Sequence, residues 1–180
     1  MSMLEELAKS FEEFAYSCNS GLKIWRLVSA CDHIATFIGH FGSDFTSVQR
    51  EFRSKENEKA TGKWYNSRDL VRVKRSIAML RVIFEQILKN REDSLTGPVN
   101  VAYDNILAPY HSYIANRFAH LFTMVEDLPT MEKLLEQLGE TWDSAVYQMR
   151  RYVQASKYVT DHIENLFNSY GLAAVLQFEE

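Results

Sequence analysis

SRDLVRVKRSIAMLRVIFEQIL, residues 67–88, is the stretch around which the whole chain is read. It holds no Gly or Pro, and only its β-branched residues argue mildly against a helix. Leu70, Val73, Ile77, Leu80, Phe84, Ile87 and Leu88 recur at helical spacing and predict one wide apolar face. A second stripe is less ordinary. Arg68, Arg72 and Arg75 stand at i, i+4 and i+7, which lines three guanidinium groups along one side of the first two turns. The same stripe continues into Met79, Val82 and Ile83. A ligand lying along it would be anionic at one end and apolar at the other, the form of an acidic lipid. A solvated basic helix end leading into a core fits the same residues. The cations face the positive end of the helix dipole, which disfavours each by roughly 0.3–1 kcal/mol when exposed. Asp69 and a capping Ser67 offset part of this, and an anion bound at the helix start would offset the rest.

Working outward, the long runs free of the 7 Gly and 3 Pro predict an all-helical chain. Its 180 residues suffice for one domain with a substantial core, spanning 1–180. The net charge of −4 excludes a general nucleic-acid binder and confines any basic site to a local patch. Cys18 and Cys31, the only cysteines, make neither a disulfide framework nor a metal site and suit a reducing cytosol. The acidic, amphipathic start MSMLEELAKSFEEF reads as neither a signal nor a transit peptide. No apolar run reaches the roughly 18 residues that span a bilayer, so a soluble protein is expected.

Leu4, Leu7, Phe11, Phe14, Ala15 and Cys18 predict a first helix, ended by Asn19-Ser20-Gly21. Residues 22–59 read as one long helix or two, broken near Gly42-Ser43. Glu51 and Lys55 lie four apart there, which by itself describes a surface ion pair worth roughly 0.3–0.5 kcal/mol. Residues 56–66 form a polar connector and residues 90–98 a second loop. Residues 99–124 are helical by pattern, with a kink at Ala108-Pro109. Pro129-Thr130 opens a helix stopped at Gly139, and residues 141–169 form the last, stopped at Gly171. The tail, 172–180, is short and apolar. His33 and His40, seven apart with no third ligand, do not make a metal site. There is no Ser-His-Asp signature and no glycine-rich phosphate loop, so no catalytic residue is assigned. His111, beside Tyr110 and Tyr113, reads by default as a structural histidine. Trp25, Trp64 and Trp142 read as core or half-buried, except that Trp64 in its Lys-rich connector also suits a membrane interface.

Three blocks carry a resemblance: GHFGSDFTSVQREFRSK (39–55), the 67–88 stretch, and AYDNILAPYHSYIANRFAHLF (102–122), followed by LPTMEKLL and YVTDHIENLFNSYGL. Together they resemble the glycolipid transfer protein superfamily. The likeness is closest to its phosphate-headgroup branch, the ceramide-1-phosphate transfer proteins and the accelerated-cell-death lipid transfer proteins. The resemblance implies an all-α, single-domain, two-layer helical sandwich with a collapsible apolar pocket. It implies a headgroup and amide site of Glu51, Lys55, Arg68, Arg72 and His111. Lys55, Arg68 and Arg72 would hold the phosphate, Glu51 would accept from the ceramide amide N–H, and His111 would donate to the ceramide carbonyl. Pocket candidates are Phe37, Phe41, Val48, Phe52, Met79, Val82, Ile83, Ile114, Phe118 and Phe122, each of which also reads as plain core. Trp64 and Tyr113 are the membrane-contact candidates. Sugar-binding members carry tryptophan where this chain has Arg72, which points away from glycolipids. Two departures stand out: Glu51 replaces the usual Asp, and Tyr113 replaces a usual tryptophan.

The implied function is non-enzymatic, cofactor-free transfer or binding of a phosphosphingolipid, ceramide-1-phosphate first. Its bearer would be a cytoplasmic monomer that touches membranes peripherally and transiently. A lipid sensor, a helical scaffold acting through a protein partner, and a glycolipid transfer protein are the alternatives.

Overall fold

The computed structural model describes residues 1–41, 67–110 and 128–179. These form six α-helices with short 3-10 turns and, among the described residues, no strand. The helices are α1 (Met3–Ser17), α2 (Ile24–Ile38), α3 (Ser67–Asn90), α4 (Thr96–Ile106), α5 (Met131–Leu138) and α6 (Trp142–Ser169).

Local chemistry sets most of the ends. The Ser2, Thr130 and Thr141 side chains accept from the backbone N–H three residues on, capping α1, α5 and α6. Gly139 closes α5 at φ 65°, and Gly171 follows α6 at φ 71°, a region costly for any residue with a Cβ. Two boundaries differ from the sequence reading. The 90–98 loop is shorter, because α4 already starts at Thr96. Pro98 is then its third residue, in the first turn, where a missing N–H leaves no helical bond unmade. The second helix ends at Ile38 and tightens into a 3-10 turn, Gly39–Phe41, before the expected break. The interruption expected at Ala108-Pro109 is present, since α4 stops at Ile106 and a 3-10 turn runs over Ala108–Tyr110; the rest of the segment expected to be helical, 111–124, lies outside the described residues.

α1 packs on α2 and α6, while α3 packs on α4, α6 and the 3-10 turn of the tail, Ala173–Gln177. Tyr152 of α6 is the junction. Its ring is wholly buried and meets Phe11 of α1 at 4.9 Å and Phe84 of α3 at 5.3 Å, both edge-to-face. Its hydroxyl donates to the Ile77 carbonyl at 3.1 Å. Burial pushes the Tyr152 phenol well above its ordinary range, so it stays a neutral donor. Phe37 and Phe41 extend the cluster through Phe84. At the rim, Arg151 grips Glu12 with two N–H donors, joining α6 to α1.

Tyr152→Phe should therefore lower unfolding free energy by about 0.5–1.5 kcal/mol through the lost hydrogen bond. Tyr152→Ala should cost about 3–5 kcal/mol through the cavity it leaves. Urea denaturation monitored by circular dichroism distinguishes them, and equal losses would mean the ring contacts contribute little.

Candidate functional site

The first turns of α3 carry the three arginines at graded depth: Arg68 exposed, Arg72 half-buried, Arg75 buried. Asp69, in the same turn, accepts from Arg72 Nη1 at 3.0 Å. Part of the offset that the helix start requires is thus supplied within the helix. Another part comes from a hundred residues away. Arg75 Nη2 donates to the carbonyls of Leu176 at 3.1 Å and Phe178 at 2.9 Å. Its guanidinium lies over the Tyr110 ring at 3.7 Å and over the Phe178 ring at 4.7 Å. Arg72 and Arg68 reach the same Phe178 ring at 5.3 and 5.7 Å. One half-buried aromatic ring is therefore shared by all three guanidinium groups.

This arrangement divides the stripe into two roles. Arg75 is turned inward as a fastener of the tail, with its five planar donors and flat π faces suited to carbonyls and rings together. Arg68 and Arg72 stand nearer the surface, and a cluster of this kind attracts an oxyanion through charge-assisted hydrogen bonds. Tyr110, under Arg75, ends the 3-10 turn that contains Pro109 and directly precedes His111. The cationic end of α3 and the chain leading into His111 are joined there.

Of the headgroup residues expected from sequence, the described structure brings Arg68 and Arg72 together. Glu51, Lys55 and His111 lie outside the described residues. The pocket candidates Phe37, Phe41, Val82 and Ile83 are buried in the core, and Met79 packs half-buried against it. Val48, Phe52, Ile114, Phe118 and Phe122 lie outside the described residues, as do Trp64 and Tyr113. Trp25 departs from expectation. It is 66 % exposed, lying under the Arg26 guanidinium, because the inward face of α2 is Leu27, Cys31 and Ile34, on the opposite side. No spacing along the sequence marks Phe178 and Tyr110 as neighbours of the arginines. The only sequence signal was the apolar character of the tail.

The described architecture is that of an all-α lipid-transfer fold, with helices enclosing an apolar core and a cationic cluster at one helix end. A family model described as "Glycolipid transfer protein (GLTP)" matches residues 48–140, just over half of the chain, and the chain belongs to this family. Among curated proteins it is similar to an "ACD11 homolog protein" of Arabidopsis thaliana. The two are 28 % identical over 170 residues, covering 81 % of this chain and 72 % of the relative. Among solved structures it is similar to a point mutant of Arabidopsis accelerated-cell-death 11 complexed with C12 ceramide-1-phosphate. The TM-score is 0.86 at 23 % identity, over 99 % of this chain and 100 % of the other. The human ceramide-1-phosphate transfer protein in complex with 12:0 ceramide-1-phosphate superposes with a TM-score of 0.74 at 16 % identity, over 92 % and 97 % of the two chains. The fold is thus that of the glycolipid transfer proteins, a family whose members here are lipid transfer proteins. Among the described residues, no helix is long and apolar enough to cross a membrane.

Proposed function

We propose that this chain binds a sphingolipid with a phosphate headgroup, ceramide-1-phosphate first, and carries it between membranes without chemical change. The observation that carries this reading is the pair Arg68 and Arg72, gathered at one end of α3 beside a ring that accepts cations on its face. A phosphate taken out of water needs several cationic donors, and guanidinium supplies them in pairs. The ceramide-1-phosphate complexes formed by two proteins of the same fold support it.

In this reading Lys55 joins the two arginines on the phosphate. Glu51 accepts from the amide N–H, and His111 donates to the amide carbonyl. A buried amide needs both partners, since an unpaired polar group is costly in an apolar site. The chains enter between Phe37, Phe41, Met79, Val82 and Ile83 and the pocket candidates of 48–52 and 114–122. The protein acts as a monomer at the cytoplasmic face of membranes, touching them through Trp64 and Tyr113. No catalytic group or cofactor takes part.

Selectivity tests it. Arg72 cannot stack on a sugar ring as an aromatic side chain does, and a neutral sugar leaves its charge unmatched. With labelled lipids in the same donor vesicles, ceramide-1-phosphate should transfer at least tenfold faster than galactosylceramide. Equal rates would mean that the cationic cluster does not select the headgroup.

A further inference from the structure

Phe178 lies 106 residues beyond Arg72 and belongs to a tail segment that periodicity leaves without a role. Three guanidinium groups nevertheless stand within 6 Å of its ring centroid, at 5.7, 5.3 and 4.7 Å. Like charges so gathered repel, and the helix dipole at the start of α3 adds to the cost. Asp69 relieves part of the repulsion, but it does so by accepting from Arg72 Nη1 at 3.0 Å, which takes up one N–H donor and part of the charge that an incoming anion needs. An aromatic face relieves it differently. The ring quadrupole attracts the cation through its face, whereas the guanidinium N–H donors point outward in its plane. The contact therefore stabilises the charge without consuming donors.

The ring is also held in place. Arg75 fixes the backbone on both sides of residue 177 through the Leu176 and Phe178 carbonyls, and the Leu176 side chain is buried. The tail is in this way strapped to α3 by one arginine and offers its ring to the other two. The geometry points to Phe178 as a positioning residue for the headgroup site, an aromatic backstop that orients Arg68 and Arg72 toward a phosphomonoester. This rests on the phosphosphingolipid reading above and deepens it. Arg75 and Phe178 form one device: the first holds the strap, the second sets the cations.

The test separates quadrupole from bulk. Phe178→Leu keeps an apolar side chain of similar reach and removes the π face, while Phe178→Trp strengthens it. Equilibrium binding is measured to ceramide-1-phosphate and to unphosphorylated ceramide, each in phosphatidylcholine vesicles. Phe178→Leu should weaken ceramide-1-phosphate binding about fivefold to tenfold and leave ceramide within twofold of wild type, and Phe178→Trp should match or exceed wild type for the phosphorylated lipid. A Phe178→Leu protein that binds both lipids as wild type does, or loses both equally, would overturn the assignment, because filling space is then all that the ring does. A wild-type protein that does not prefer ceramide-1-phosphate over ceramide would instead defeat the phosphosphingolipid reading. A lipid-free readout decides the ring's part in either case. The Nε–Hε resonances of Arg68 and Arg72 should carry a ring-current shift that disappears in Phe178→Leu. Unchanged resonances would show that the ring does not hold those side chains.

Discussion

Arg72→Leu is expected to bind ceramide-1-phosphate about 10- to 100-fold more weakly than wild type while remaining folded. The loss is that of a charge-assisted hydrogen bond to phosphate, about 1.5–3 kcal/mol. The helix should persist because Leu is as good a helix former as Arg. The pair with Asp69 is an i, i+3 contact at a partly exposed position, worth only about 0.2–0.5 kcal/mol. Isothermal titration with short-chain lipid reads the affinity, and a thermal melt confirms the fold. Arg75 lies on the same stripe but is not a neutral comparison. It is 5 % exposed and holds two tail carbonyls, so its loss should act first on stability and on the placement of Phe178. Lys74 is the better control. It lies on the same helix but reaches Glu164 of α6 at 3.2 Å, so Lys74→Ala should leave lipid affinity unchanged. Unaltered binding by a folded Arg72→Leu protein would remove Arg72 from the site.

Glu51→Val is expected to abolish most of the preference for an amide-linked lipid over a diacyl phosphatidic acid. In the proposed site both lipids would present the same phosphate to Lys55, Arg68 and Arg72, but an ester has no N–H to donate. Phosphatidic acid would there leave Glu51 without a donor, which costs about 1–3 kcal/mol or more for a charged group out of water. Wild type should therefore favour ceramide-1-phosphate by about tenfold or more. Glu51→Gln keeps an acceptor oxygen and should retain part of that preference. If wild type and Glu51→Val separate the two lipids equally well, Glu51 is no more than the surface partner of Lys55. The longer arm, in place of the family's Asp, would then have taken it out of the site.

Much of the fold could be read in the residues because the signals that place helix ends are local. Thr130 and Thr141 cap from the position just before their helices, and Gly139 and Gly171 close them with positive φ. Pro109 interrupts the chain where a missing N–H and a restricted neighbour require it. Pro98 misled for the converse reason: the same residue is harmless in a first turn, and only the packing of α4 on α3 decides that it lies within one. Trp25 misled because its size favours burial, whereas the face on which it falls depends on the phase of α2.

The site was legible to the extent that it is periodic. Arg68 and Arg72 follow from i, i+4 spacing on one helix. The split between them and Arg75 does not, since the third arginine is covered by Tyr110 and by Leu176 and Phe178, which return to it across the fold. No local pattern announces a contact between residues more than a hundred positions apart. Glu51, Lys55 and His111 rest on the resemblance of their blocks to the family, because each by itself is an ordinary ion-pair member or an ordinary histidine.

Native mass spectrometry of the purified protein, after incubation with vesicles of equimolar ceramide-1-phosphate, phosphatidic acid, galactosylceramide and ceramide, addresses the central claim most directly. The account predicts a one-to-one complex dominated by ceramide-1-phosphate and diminished in Arg72→Leu. A spectrum with no lipid adduct, or one dominated by galactosylceramide, would contradict it.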